Sequence, residues 1–480
     1  MSTKPSDISG DTSQPDVGNT IGSVKAEEII FISRQPGASN LYDIFSLKEE
    51  TGDQEPTFRL FQSSDAGIPQ PLLDEFLIEG LPDYLKSSPS RRIHAVVSTG
   101  SGTGLALNFY NEVVRRLLPG REAYPSDPTI NSVEISKPNP HDLVVTQSAH
   151  SVREFAREIS RADEDAVQHT VVLLSGDGGV IEMLNGQVSV EGHDSEERLP
   201  LIVILPLGTG NALFHSLHKS AGATSRFPAP SSLVQGLRTL FNGRAAALPS
   251  FKVEFSPGSR IITYKSPDSS SDSVEEVEGH ADAVSHLYGA IVASYGFHSQ
   301  LVWESDTPEY RKHGSKRFGM VAQQLLKESH AYNAIVELSG KDGSNVQKLD
   351  RDRHAYILAT MVSNLEKTFT ISPASKPLDR KLRLVHFGAV SGEKTMEIMT
   401  QAYNDGKHIG MKWTTEDGKE EGVGYDDTSV VKITTLEEDA RWRKVCIDGT
   451  IVELPQGGSI TIRTEDRPRF RVVVDKSLVR

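Results

Sequence analysis

The sequence predicts a two-domain α/β protein, in which an N-terminal doubly wound parallel-sheet nucleotide-binding domain precedes a C-terminal, mainly antiparallel β domain, with the active site in the cleft between them. Three observations predict this. Four short β-branched runs, "RIHAVVS" from 92, "DLVVTQ" from 142, "HTVVLLS" from 169 and "PLIVILP" from 200, are each followed by glycines or polar residues and then by helical spacing. After about 246 that rhythm gives way to strand upon strand. A chain of 480 residues, 37 % of them hydrophobic, is also too long for one ordinary domain and apolar enough to build two cores.

Taken in order, residues 1–26 are rich in Ser, Asp, Thr, Gly and Pro and are expected to form a disordered tail. Residues 27–88 alternate as "EIIFIS", "YDIFSL" and "FRLFQS", a small β-rich segment that closes on a short helix near "LLDEFLIEGL". Residues 89–245 form the parallel unit. Within it Phe109, Val113 and Leu117 share one helical face, as do Val152, Phe155 and Ile159. Strands buried on both faces by crossover helices place ligands at their carboxyl ends, where the glycine clusters lie. Residues 246–480 form the β-rich domain, with strands from "FKVEFS" through "KVCIDGTIVEL" and "SITIRTE" to "FRVVVDK". It carries an acidic surface loop at 266–286, "SPDSSSDSVEEVEGHADAVSH".

Composition narrows the class. A formal charge of −14 argues against nucleic acid as a partner and against broad attraction to anionic membranes, so any lipid contact is local. The single cysteine, Cys446, allows no internal disulfide and fits a reducing, cytoplasmic setting. The first 20 residues carry no apolar signal region, and no apolar run reaches 18 residues.

Three glycine-rich turns follow three of the strands: "STGSGTG" at 98–104, "SGDGG" at 175–179 and "LGTGN" at 207–211. Glycine allows close backbone approach, and a helix starting directly afterwards offers unpaired N–H groups to phosphate. Any one turn could be a plain tight connection, but three in one sheet favour a nucleotide. The chain has no G-x-x-x-x-G-K-[ST], no complete G-x-G-x-x-G and no G-x-S-x-G, which sets aside the P-loop, the dinucleotide fingerprint and the α/β-hydrolase elbow.

"LLSGDGGVIEMLNG" together with "LPLGTGNALFHSLHK" resembles the paired nucleotide-binding motifs of the sphingosine kinase and diacylglycerol kinase catalytic superfamily, and "SGDG" and "GNAL" lean towards the sphingosine kinase branch. "VVSTGSGTG" is similar to the family's first phosphate loop, "ESDTPEYRKHGSKRF" at 304–318 to its arginine-bearing segment, and "VCIDGTIVE" to the C-terminal segment that returns acidic residues to the cleft. The resemblance covers roughly 90–480, with insertions near 119–140 and 266–286. It implies a lipid kinase that uses ATP and Mg²⁺ and meets its lipid substrate at a membrane surface by peripheral association, with a homodimer left open.

Asp177, an acid between glycines at a strand end, is the candidate general base that accepts a proton from the substrate hydroxyl during phosphoryl transfer. By resemblance the nucleotide is held by Ser98, Ser101, Gly102 and Gly104 in the first loop and by Ser175, Gly176, Gly178 and Gly179 around Asp177. Gly208, Thr209, Gly210 and Asn211 form the last loop, whose following helix aims its N-terminus at phosphate. Thr146 and Glu182 would contribute from the second strand end and the helix after Asp177. Arg311 and Arg317 match the pair of arginines that clamp phosphate, a task suited to a planar, permanently charged guanidinium. Asp448 resembles the acid that organises Mg²⁺, although "DG" between two apolar runs is equally a hairpin turn.

Three positions depart from the family pattern. Ser98-Thr99 replaces Asn-Pro ahead of the first loop, Thr450 replaces the second acid of the DGE-like turn, and Gln300 and Val302 occupy the stretch where sphingosine kinases place a headgroup acid. A neutral lipid alcohol such as diacylglycerol or ceramide therefore stands beside sphingosine as the substrate. A non-catalytic relative acting through partners is the competing reading, and an NAD kinase or phosphofructokinase a weaker one.

Overall fold

The computed structural model describes residues 19–479 apart from 39, 51–55, 103, 119–140, 149, 162–166, 188–195, 220–225, 265–281, 315 and 416–417. The insertion near 119–140 and most of the acidic loop lie outside these residues.

The first domain is built on a six-stranded sheet in the order Arg244–Ala247, Arg471–Val474, Leu201–Pro206, Gln168–Ser175, Arg91–Val97, Asp142–Val145. All pairings are parallel except that of Arg244–Ala247 with Arg471–Val474. Alternation along the central strands separates two cores. Val96, Val171, Leu173, Ile202 and Ile204 pack against Val152, Phe155 and Ile159 and against Val180, Leu184 and Leu213. Val97, Val172, Leu174, Val203 and Leu205 face Phe109, Val113 and Leu117 and also Leu233, Leu237 and Leu240. Helices on both faces of a parallel sheet leave only the strand ends open, and the glycine turns sit there.

The segment before this unit is a four-stranded sheet, Thr57–Asp65, Tyr42–Glu50, Ile29–Arg34 and Leu77–Ile78. It docks on the first domain through Phe31 on Phe241, ring centroids 4.6 Å apart, and Phe58 on Phe109, 5.0 Å apart. Two expectations change here. The disordered tail does not extend to 26, because Thr20–Ile21 pairs with Val24–Lys25 and buries Ile21 and Ala26 beside Leu72 and Phe76. The helix in "LLDEFLIEGL" is Gln70–Phe76 only, since Leu77–Ile78 turns extended to pair with Ile32–Ser33.

In the second domain fourteen strands form one curled antiparallel sheet around Phe251, Tyr295, Ile357, Leu384, Ile433, Val445 and Ile462. "LYGAIVASYG" divides into His286–Gly289 and Val292–Gly296, with Ala290 and Ile291 at the break. The expected boundary also needs correction, because the last strand, Arg471–Val474, leaves this domain and inserts between Leu201–Pro206 and Arg244–Ala247. Its composition explains the crossing. Val472 and Val474 join one core of the first domain and Val473 the other, which an unbroken valine run can do only inside a sheet covered on both faces. No helix among the described residues is long and apolar enough to cross a membrane.

Candidate active site

The three glycine turns meet. A Cβ on Gly102 would lie 2.1 Å from Thr209 Oγ1, and one on Gly208 would lie 2.4 Å from the Cα of Gly176, so these contacts exist only because side chains are missing. Ser101 fastens the three turns together, its Oγ accepting from the Gly176 N–H at 2.9 Å and donating to the Leu207 carbonyl at 3.4 Å. Thr146 is buried and ties the first turn to the second strand end, its Oγ1 accepting from Thr99 N–H at 3.0 Å while Thr99 Oγ1 donates to the Thr146 carbonyl at 2.9 Å.

The turns line one side of an open cleft of about 920 Å³. Ser98, Ser101, Gly102, Thr146, Ser175, Gly176, Asp177, Gly178, Gly179, Glu182, Gly208 and Thr209 face it from the first domain, and Arg311, Arg317 and Asp448 from the second. Gly104, Gly210 and Asn211 are not among its lining residues. Asn211 instead holds its own turn, with Oδ1 accepting from Gly208 N–H and Nδ2 donating to the Gly208 carbonyl, from a left-handed backbone at φ 53°.

Asp177 is the first residue of the helix Asp177–Gly186 and is half-buried at the floor of the cleft. Its Oδ2 accepts from Ala212 N–H at 2.7 Å and its Oδ1 from Leu213 N–H at 3.0 Å. Burial raises its pKa above the usual carboxylate value, and these two donors pull it back. The helix Ala212–His218 therefore spends its first N–H groups on Asp177 and does not aim them at phosphate, which corrects the sequence expectation. One further helix turn from Asp177, Glu182 accepts from Arg153 Nη2 at 2.8 Å, and its other oxygen is buried without a partner among the described residues.

Across the cleft, Arg311 holds Asp306 through two bonds of 3.0 and 2.7 Å, and Arg317 stands 3.8 Å from the same carboxylate with its Nε unbonded. Sequence reasoning missed Asp306, although it lies inside "ESDTPEYRKHGSKRF", five residues before an arginine. It also missed His298, which lines the cleft one helical turn before Val302. Gln300, by contrast, is fully buried and donates to Glu304 at 2.7 Å.

Asp448 does not fit a magnesium ligand. It sits in a tight hairpin turn, with φ of 47° followed by 92° at Gly449, between Lys444–Ile447 and Thr450–Glu453. Its carboxylate accepts from the N–H groups of Ala290, Ile291 and Val292 at the strand break, which occupies the lone pairs a cation would need. Burial pushes its pKa up to about 7; the three N–H donors oppose the rise and the charge of Asp177 adds to it. No group of three or more His, Cys, Asp or Glu among the described residues could cage a metal ion.

Residues 128–240 match the family model of the diacylglycerol kinase catalytic domain. Two crystal structures from Bacillus anthracis str. Sterne that carry the name diacylglycerol kinase each share 13 % identity, with 82 % of this chain and 100 % of that chain covered, at TM-scores of 0.48 and 0.45. A yeast NADH kinase complexed with NADH shares 9 % identity over 81 % of this chain and 85 % of that chain, at a TM-score of 0.33. No curated protein matches the chain.

Proposed function

We propose that this chain, whose residues 128–240 match the model of the diacylglycerol kinase catalytic domain, transfers the γ-phosphoryl group of ATP to a hydroxyl of a membrane-derived lipid. The observation that supports this reading most is the convergence of three glycine turns and Asp177 on one cleft, opposite two arginines of the second domain. ATP would lie along the turns, with Ser98, Ser101, Gly176, Gly178 and Thr209 against its phosphates and Thr146 and Glu182 flanking it. It would enter as MgATP, the ion carried on phosphate oxygens and water rather than in a protein cage.

In the transfer the substrate hydroxyl gives its proton to Asp177, its oxygen forms the new bond to the γ-phosphorus, and the bond from γ-phosphorus to the bridging oxygen breaks to release ADP. Each Asp177 oxygen accepts one N–H and keeps a lone pair, so the group can take that proton while the two donors hold it in place. Arg317, whose Nε is unbonded, would swing to the phosphates when these arrive, while Arg311 stays on Asp306. The lipid meets the cleft by peripheral association at a cytoplasmic membrane face.

A non-catalytic role is the second reading, favoured by the full engagement of Asp448 with backbone donors and by Thr450 beside it. Nucleotide binding with no phosphoryl transfer to any lipid would select it over the kinase.

A further inference from the structure

We infer that His298 is the specificity-determining residue for the lipid headgroup, and that it selects an uncharged hydroxyl headgroup over a cationic amine. The inference rests on the lipid-kinase reading of the cleft and deepens it. His298 lies in the first turn of the helix Phe297–Ser305, directly after the strand Val292–Gly296, and lines the cleft. Its Nδ1 is bonded to Ser294 Oγ at 2.8 Å, which fixes the ring. Ser294 is fully buried and also interacts with the Cys446 thiol, so the ring is braced from two strands. The Ser294 hydroxyl can donate or accept, so the bond fixes the orientation of the ring and leaves Nε2 to take the complementary role. Nε2 is then the remaining hydrogen-bonding atom of an oriented ring in a lining that includes the apolar Ile291, Val292, Val302 and Leu365 beside Asp306, Asp448 and Thr450.

The charges around this wall exclude an ammonium group. Asp448 receives three backbone N–H groups, Asp306 is held by Arg311, and Asp177 receives two N–H groups from the neighbouring helix. Glu182 pairs with Arg153 on the nucleotide side, and the lone pairs that Asp177 keeps serve the proton of the reacting hydroxyl. In the second domain's half no carboxylate among the described residues is left to pair with an amine, and two guanidinium groups already stand there. Burying an unpaired ammonium costs several kcal/mol, whereas a hydroxyl needs only one partner. Burial holds the imidazole at a pKa of about 4, so it is neutral at physiological pH and can donate to or accept from a hydroxyl.

Two readouts test this. In the first, full-length protein labelled with ¹⁵N-histidine is titrated with short-chain diacylglycerol and, separately, with short-chain sphingosine in detergent. The His298 Nε2 resonance shifts with the first and not with the second; a shift with sphingosine alone, or with neither, overturns the assignment whether or not the protein turns over. In the second, His298→Ala raises KM for the neutral lipid at least tenfold with KM for ATP unchanged, and His298→Asp transfers preference towards sphingosine. An unchanged lipid KM in both variants, with wild-type turnover intact, refutes the role of His298 and leaves the kinase reading standing; absence of turnover in the wild type refutes the kinase reading and leaves the resonance test to decide on His298.

Discussion

Replacing Asp177 with Asn alters the chemistry and the scaffold together. The amide cannot serve as a base, so turnover falls by about 10²-fold or more. Its NH₂ also faces a backbone N–H that the carboxylate had satisfied, removing one cap of the helix Ala212–His218 at a cost of about 1 kcal/mol. Chemical denaturation of Asp177→Asn therefore shows a small loss of stability alongside the large loss of rate; a fully stable variant would mean that the cap is dispensable. At Asp448 the sign of the pH effect follows from its raised pKa. The folded state binds the proton more tightly than the unfolded chain, so stability from this group is fully present below about pH 4 and is lost as pH climbs through about 7. Asp448→Asn removes that slope, and an unchanged stability profile between pH 4 and 7 would show that the carboxyl ionises normally. Such roles escape sequence reading because a "DG" pair or a lone acid does not announce which distant N–H groups will point at it. Asp177 was legible as a chemical group from its glycine neighbours, but its second function as a cap depends on a turn 35 residues later.

At the level of elements, two glycines of the phosphate-side turns separate structure from ligand contact. A Cβ at Gly208 meets the backbone of Gly176, whereas one at Gly178 meets nothing within 4 Å. Gly208→Ala lowers both the melting temperature and ATP affinity. Gly178→Ala leaves the melting temperature unchanged and weakens ATP at least tenfold, and unaltered affinity there would place the phosphates elsewhere. The helix that carries Asp177 is fastened to the second domain by Asn185, whose amide donates to the Tyr288 carbonyl at 2.8 Å and accepts from the Tyr288 N–H at 2.9 Å, a side chain standing in for a strand partner. Asn185→Ala frees that strand edge, with a loss of about 1–3 kcal/mol in denaturation and a reduced kcat. The β-α alternation, the glycine turns and the hairpin at 444–453 were readable from periodicity and turn residues. Asn185, Asp306 and His298 were not: Asn185 matters through a contact made across the domain boundary, while Asp306 and His298 bond to Arg311 and Ser294 in their own domain and matter because the fold places them on the cleft.

At the scale of the whole molecule, the chain is closed by its own C-terminus. Because Arg471–Val474 lies inside the first sheet, removing residues 468–480 takes out a strand buried on both faces, and the first domain does not fold without it. The intact chain accordingly unfolds in one calorimetric transition, and two separated transitions would contradict this coupling. Sequence pattern assigned that strand to the second domain because strand order carries no mark of which sheet a late strand will join; only its continuous valines hinted at burial on both faces. The same strand ties the second domain, and with it the far wall of the cleft, to the sheet that carries the glycine turns. The most direct test of the proposed function is the transfer of labelled γ-phosphate from MgATP to sphingosine, ceramide, diacylglycerol and monoacylglycerol in mixed micelles, with Asp177→Asn alongside. The account predicts labelled product on a neutral lipid alcohol that disappears in the variant; ATP binding without product on any lipid, or product that survives in the variant, would contradict it.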